Sequence, residues 1–246
     1  QYRFKSQYVE AFHEIKERNS LGAIKTIAMS EYRPPFLGKV KQWNKFNVFS
    51  GGTLVEKCCH YFDLINLMAE TRIDSVYAVS GQAVNFIDFT YEGKVSDIHD
   101  HAFVVMQFAG GISASLTLNM FSLELYEELS VTGENGRLLA SEHSSFTSGS
   151  RSRAEIMEEV VGHPAYQGKE VTYPAPIEAS GHHGATFFEH EAFIDQFENK
   201  PHDSASCEQG MWAILVASAA QQSVARGQAI SVKDFAAEQG LNDVLS

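Results

Sequence analysis

Hydrophobic and polar positions alternate along this chain in two different ways, and the order of the two patterns predicts its architecture. Apolar residues recur at helical spacing near the beginning and the end, whereas the middle alternates with the period of a β-strand. Glycine-containing turns at Gly110-Gly111 and at Gly133 to Gly136 divide the middle into hairpins. The predicted elements are a helix over residues 6–22 with Ser6 as its candidate cap, a strand over 23–33, a loop over 34–52, a helix over 54–69, strands over 74–84, 101–121 and 127–142, weaker strands over 153–174, and helices over 185–199, 204–227 and 231–240.

This order is typical of an α+β fold with one large, open, mainly antiparallel sheet and helices on one face. No repeat, low-complexity tract or clear linker interrupts the chain, so we predict a single domain over residues 1–246. The second face of the sheet is predicted to be mixed rather than polar, because Phe103, Val105 and Phe108 lie near a row that includes Ser115 and Thr117. A flat, semi-polar face of this kind favours a homodimer formed through the sheet.

The net charge of −12 excludes several classes of partner. Nucleic acids and anionic membrane surfaces both require clusters of lysine and arginine, and no such cluster occurs. No uninterrupted apolar run approaches the length of a membrane span. The three cysteines are odd in number and two are adjacent, which indicates a reducing, cytoplasmic environment rather than a disulfide framework.

The predicted helix over residues 54–69 carries an unusual set of ionisable residues. Glu56, His60 and Asp63 fall within about 60° of each other on a helical wheel, opposite the apolar stripe. One interpretation is a solvated face; the other is a functional site, in which the two carboxylates raise the pKa of His60 and orient its ring. The preceding pair Gly51-Gly52 would allow a ligand to approach the backbone closely. The core stripe comprises Leu54, Cys58, Tyr61, Phe62, Ile65, Met68 and Ala69.

Three further groups are candidates for chemistry. His182 and His183 lie between glycines, and with His60 and Asp63 they could form a metal site, or they could belong to a polar turn. His99 and His101 would share one face of a strand, or mark an exposed strand end. In the long loop, Trp43 and Asn44 are suited to stacking on a sugar and hydrogen-bonding to it, although a loop tryptophan is also often a packing residue.

The segment GGTLVEKCCHYFDL resembles the signature of the Gfo/Idh/MocA oxidoreductases, the glucose–fructose oxidoreductase and inositol dehydrogenase family. Gly51 and Gly52 match the glycine pair, Glu56 the acidic position, His60 the His/Tyr position and Asp63 the final Asp. The opening QYRF, the loop YRPPFL…WNKF and the turn SGHHGA also have counterparts in the family. Glu56 replaces the commoner Asp, and Cys58-Cys59 stands where small residues are usual.

The resemblance implies that this chain is the C-terminal substrate and oligomerisation domain of a longer NAD- or NADP-dependent enzyme acting on a polyol, sugar or related compound. The family's Rossmann domain and its catalytic lysine have no counterpart here, so this chain alone is expected to be inactive and to bind no cofactor. His60 would then transfer a proton, assisted by Glu56. The residues implied to bind substrate are Asp63, Lys57, Arg33, Trp43, Asn44 and His183, and those near the cofactor are Tyr2 and Arg3. No metal is implied by the family, and a non-catalytic sugar-binding module stays open as an alternative.

Overall fold

A computed structural model of the chain describes residues 1–144, 153–162 and 168–241, and within residues 153–158 only the backbone. Its longest helix, α7, has a capping box at Ser206 and ends at Gly227, which adopts the left-handed conformation predicted for a terminal glycine. The α-helices are α1 (Ser6–Phe12, continued by a π-helical turn His13–Glu17), α2 (Asn47–Ser50), α3 (Thr53–Glu56), α4 (Cys59–Ala69), α5 (Ala175–Glu178), α6 (Ala185–Phe197), α7 (Cys207–Arg226) and α8 (Val232–Glu238).

Within the part of the chain that the structure describes, nine strands form one sheet in the order β10-β9-β8-β7-β1-β6-β5-β2-β11, which confirms the predicted α+β class. Every neighbouring pair is antiparallel except β1 and β6, which are parallel. The two glycine turns connect β5 to β6 and β7 to β8, as the sequence predicts. The strands are β1 (Ile24–Tyr32), β2 (Ile73–Gly81), β5 (His101–Phe108), β6 (Ser113–Asn119), β7 (Leu125–Gly133), β8 (Gly136–Ser144), β9 (Arg153–Val160), β10 (Lys169–Glu170) and β11 (Ile230–Ser231), with β3 (Thr90–Tyr91) and β4 (Lys94–Val95) forming a separate hairpin.

Helices cover one face of the sheet and leave the other face open. Alternate residues of β5 are buried beneath the helices, whereas Phe103 and Val105 are more than half exposed on the open face. The core is formed largely by this covered face together with α4 and α7, which contact each other. Phe108 lies on the covered side and is buried, which corrects its assignment to the mixed face.

The predicted helix over 54–69 is divided in two. Helix α3 ends at Glu56 and α4 begins at Cys59, with Lys57 and Cys58 between them. The glycine pair serves packing rather than ligand approach: Gly51 ends α2 in a left-handed conformation, and Gly52 packs against α7, where an added Cβ would lie 2.8 Å from the side chain of Gln221. All seven predicted core residues are buried despite the division.

Three smaller expectations are also corrected. Ser6 does not cap α1, because its hydroxyl donates to the carbonyl of Val171. His99 and His101 do not share a strand face, because β5 begins only at His101. The loop over 34–52 is not irregular throughout, since it contains α2 and a 3-10 helix over Val40–Lys45.

Candidate active site

His60 lies in the first turn of α4 with its ring stacked on Tyr2, the ring centroids 4.8 Å apart and the planes within 4° of parallel. Burial lowers the pKa of His60 to about 4, and the nearby ammonium group of Lys57 acts in the same direction. The expectation that neighbouring carboxylates raise this pKa is therefore wrong, because desolvation outweighs their attraction for a proton. At neutral pH His60 is an uncharged imidazole.

Glu56 ends α3, four residues before His60, and its side chain is half-buried. Burial raises the pKa of Glu56, while the cationic groups of Lys57, Arg33 and Lys39 act in the opposite direction. The carboxyl group of Glu56 is thus surrounded by positive charge from the helix break and from the loop that follows β1. This arrangement brings the predicted residues Glu56, Lys57 and Arg33 into one electrostatic neighbourhood.

Lys57 occupies the break between α3 and α4, and its ammonium group is buried. Its Nζ atom donates to the hydroxyl of Tyr2 at 2.7 Å and lies 3.0 Å from Oε1 of Glu31. Glu31 is fully buried on β1, and the guanidinium group of Arg33 lies 3.7 Å from the same oxygen. Among the described residues, neither oxygen of Glu31 accepts a hydrogen bond of good geometry, so the ion pairs alone hold it. Lys57 is therefore engaged by the protein itself.

Three glutamates form a row across the covered face of the sheet, which we call the glutamate row: Glu31, Glu127 and Glu142. Glu31 on β1 is directly opposite Glu127 on β7, and Glu127 is directly opposite Glu142 on β8. All three side chains are at most 2% exposed. Like charges at opposed positions repel, and buried charges require partners. The row can exist only because cations and hydroxyl groups are brought to it.

Lys5 supplies the main compensation for the second and third members of the glutamate row. Its Nζ atom lies 2.6 Å from Glu127 and 2.9 Å from Glu142. Burial lowers the pKa of Lys5, but the two carboxylates outweigh that effect and the pKa lies above its ordinary value. Further donors are Tyr8 and Tyr61 to Glu127, at 3.2 and 3.1 Å, and Gln7 to Glu142, at 3.1 Å.

The row reaches the surface at His183. Its Nε2 atom lies 3.3 Å from the carboxylate of Glu142, and its side chain is 46% exposed. Burial raises the pKa of Glu142, but the hydrogen bond from His183 and the charge of Lys5 together hold it at about 2. Four consecutive residues, 181 to 184, have positive φ, which places the histidine pair in a tight turn over the site.

The glutamate row and Lys5 are absent from the set predicted by sequence. A signal for them exists: Glu31 continues the buried alternation of Ile27 and Met29 on β1, and Glu142 continues that of Leu138 and Ala140 on β8. A charged residue at an inward position of an apolar alternation indicates a buried ion pair. Finding the row itself requires the register of β1, β7 and β8, which no single strand contains.

Other predicted residues have separate surroundings. Arg3 and Asp63 form a bidentate ion pair, with distances of 2.7 and 2.6 Å, so each is engaged by the other. Asn44 is buried and donates to the carbonyl of Leu37, which stabilises the loop. Trp43 lines a cavity of about 140 Å³ whose lining includes none of Glu56, His60 and Asp63.

The alternative metal site is not assembled. Within residues 1–144, 153–162 and 168–241, no group of three or more histidine, cysteine, aspartate or glutamate side chains is arranged to hold a metal ion. Asp63 is neutralised by Arg3. The three cysteines are free, and burial raises the pKa of both Cys58 and Cys59, which makes these thiols unreactive. Over the same described part of the chain, no helix has the length and apolar character needed to cross a membrane.

Comparison with known proteins places this chain in a family. The model of the oxidoreductase family C-terminal alpha/beta domain, the Gfo/Idh/MocA type, matches residues 15–233. The chain therefore belongs to the Gfo/Idh/MocA oxidoreductase family, of which it represents the C-terminal domain. No curated protein sequence matches the chain.

Solved structures of other proteins share the fold of this chain. A levoglucosan dehydrogenase in complex with NADH and levoglucosan is 15% identical, with a TM-score of 0.71 over 94% of this chain and 64% of that one. A putative oxidoreductase from Thermotoga maritima is 14% identical, with a TM-score of 0.70 over 93% and 61%. A putative myo-inositol dehydrogenase from Sinorhizobium meliloti 1021 is 18% identical, with a TM-score of 0.65 over 94% and 64%. The chain thus spans less than two thirds of the length of these proteins.

Proposed function

We propose that this chain is the substrate domain of an NAD- or NADP-dependent dehydrogenase that oxidises a hydroxyl group of a polyol, a sugar or a related compound. The observation that carries the proposal is His60: an uncharged imidazole held against Tyr2, four residues after Glu56 in the chain. Similar solved structures are complexes with levoglucosan, glycerol or a UDP-linked sugar acid, and several are complexes with NADH. Hydroxylated substrates suit a site built from imidazole and carboxyl groups.

Oxidation of an alcohol to a carbonyl requires loss of a hydride from carbon and of a proton from oxygen. The nicotinamide ring, when bound, supplies the hydride acceptor. His60 takes up the hydroxyl proton and relays it to solvent: its ring is uncharged at neutral pH and can accept the proton, and its low pKa makes the ring release the proton again. Glu56 orients the substrate by hydrogen bonding to a neighbouring hydroxyl; burial raises the pKa of Glu56, and the cations around it oppose that rise.

The residues of this chain do not fit a dinucleotide site of their own. The sequence contains no phosphate-binding G-x-G-x-x-G loop. Tyr2 and Arg3, predicted to lie near the cofactor, are engaged by Lys57 and Asp63. We therefore propose that residues outside this chain hold NAD or NADP, and that this chain binds and orients the substrate. In this proposal Lys57 does not contact the substrate; it binds the hydroxyl of Tyr2, whose ring stacks on His60. Arg33 and His183 border the substrate.

The test uses the protein expressed from its complete reading frame, assayed for reduction of NAD or NADP with a panel of polyols and sugars. For the compound that is turned over, His60→Ala is expected to lower kcat by about 10²–10⁴-fold, the usual contribution of a placed proton acceptor. The exposed His190→Ala is the matched control and should leave kcat unchanged. Near-normal turnover by His60→Ala would refute the assignment, and binding without turnover would favour a non-catalytic ligand-binding module.

We also propose that the open face of the sheet forms a homodimer. Tyr77 is opposite Val105 and Val79 is opposite Phe103, so four exposed apolar side chains form one patch. Phe103→Arg should convert a dimer into a monomer of 27.3 kDa, measured by light scattering, with an unchanged circular dichroism spectrum. Gln239→Arg, an exposed position after α8, is the control. A wild-type monomer at micromolar concentration would reject this proposal.

The free thiols support a cytoplasmic location.

A further inference from the structure

The cavity beside Trp43 is separate from the candidate active site. It has a volume of about 140 Å³ and lies between the loop that follows β1 and the β3–β4 hairpin. Its walls are four aromatic rings, and charged groups complete its lining. The aromatic residues are Trp43, Phe46, Phe49 and Tyr91, and the charged residues are Lys41, Lys94 and Glu92.

The volume sets the size of the occupant. An apolar cavity of about 150 Å³ in another protein binds one benzene molecule, so a cavity of this size accepts a single six-membered ring. Aromatic walls favour a flat ring that stacks on them or meets their edges. A ring with many hydroxyl groups is disfavoured, because apart from the rim charges the walls offer few polar partners and an unpartnered hydroxyl is costly to bury.

The charge of the surrounding loop sets the charge of the occupant. Residues 32–55 contain four basic residues and no acidic residue, in a chain whose net charge is −12. Lys45 is buried against the rings of Phe86 and Phe89, whereas Lys41 and Lys94 are exposed at the cavity, with Lys94 4.4 Å from the ring of Phe49. Two ammonium groups against the single carboxylate of Glu92 favour an anion.

The cavity is built on a braced backbone. Lys41 and Gln42 adopt left-handed conformations with φ of 53° and 55°, which place Trp43 at the cavity. The loop is tied to the segment beyond the hairpin, because Asn47 donates to Asp97 twice, at 2.7 and 2.8 Å, and Ser96 donates to the carbonyl of Lys45 at 2.8 Å. Positive φ in non-glycine residues persists only where surrounding contacts enforce it, and it is concentrated at functional sites.

We propose that this cavity is a binding site for a one-ring aromatic carboxylate, distinct from the proposed substrate site. The ring enters between Trp43 and Tyr91, and its carboxylate pairs with Lys41 and Lys94. Because Trp43 and Trp212 are the two tryptophans of the chain, Trp212→Phe leaves Trp43 as the sole fluorescent reporter. Benzoate is the probe, benzyl alcohol is its uncharged counterpart, and glucuronate tests whether a carboxylate on a sugar ring suffices.

Benzoate should change the Trp43 fluorescence of the Trp212→Phe chain saturably, with a dissociation constant in the millimolar range or tighter. Benzyl alcohol and glucuronate should bind at least fivefold more weakly. Lys94→Gln and Lys41→Gln should each weaken benzoate binding at least threefold, whereas Lys25→Gln, an exposed lysine of β1 paired with Glu134, should not. Trp43→Ala, followed by ligand-observed NMR and checked by circular dichroism, should abolish binding. A non-saturating response, equal affinity for benzyl alcohol or tighter binding of glucuronate would overturn the proposal.

Discussion

Replacing His60 with phenylalanine should remove an acid sensitivity that comes from burying an imidazole. The ordinary pKa of histidine is 6.5, and burial lowers that of His60 to about 4. Above pH 6.5 the ring is neutral in both the folded and the unfolded chain. Between pH 6.5 and 4 only the unfolded chain takes up the proton, so the free energy of unfolding falls as the pH falls. Below pH 4 both states are protonated and this effect ends.

The size of the effect follows from the two pKa values. Each pKa unit corresponds to about 1.4 kcal/mol, so the loss between pH 6.5 and 4 is about 3 kcal/mol. Phenylalanine keeps the ring stacked on Tyr2 but cannot take up a proton. Urea unfolding followed by circular dichroism at several pH values gives the free energy for both proteins, and the difference between them isolates His60 from other histidines.

The wild-type free energy should therefore fall by about 3 kcal/mol more than that of His60→Phe between pH 7 and 4. His190→Phe, at an exposed position of α6, is the control and should follow the wild type throughout. Parallel curves for wild type and His60→Phe would show that His60 is not buried as an uncharged ring.

Further substitutions test the rest of the site. Lys5→Met leaves Glu127 and Glu142 facing each other without a cation, so it should lower the free energy of unfolding by about 3–5 kcal/mol at pH 7, and by less at pH 5, where a carboxylate can take up a proton. Gly52→Ala should destabilise the chain by about 1–3 kcal/mol, and by more than Gly93→Ala, because both glycines have positive φ but only Gly52 has a neighbour within 4 Å. Urea unfolding measures both, and equal losses at the two glycines would contradict the packing argument.

The sequence predicts features that depend on local pattern and misses those that depend on register. The alternation in β5 assigns Phe103 and Val105 to the same open face correctly, because a strand has a fixed period of two. The break at Lys57 is not visible, because apolar residues continue at helical spacing on both sides of it. The ring that stacks on His60 belongs to Tyr2, which lies 58 positions earlier in the chain. No local sequence pattern contains both residues, so this contact could not be predicted.

The glutamate row also has a consequence for the order in which the chain folds. Lys5 is 122 residues from Glu127 and 137 residues from Glu142, so its contacts are among the least local in the molecule. Pairings of this separation form slowly, because a long loop must close before they can stabilise anything. During synthesis Lys5 leaves the ribosome well before β7 and β8 exist. We therefore expect Glu127 and Glu142 to stay hydrated until Lys5, Gln7 and Tyr8 dock, so that docking of the amino-terminal segment is the event that removes water from this part of the sheet.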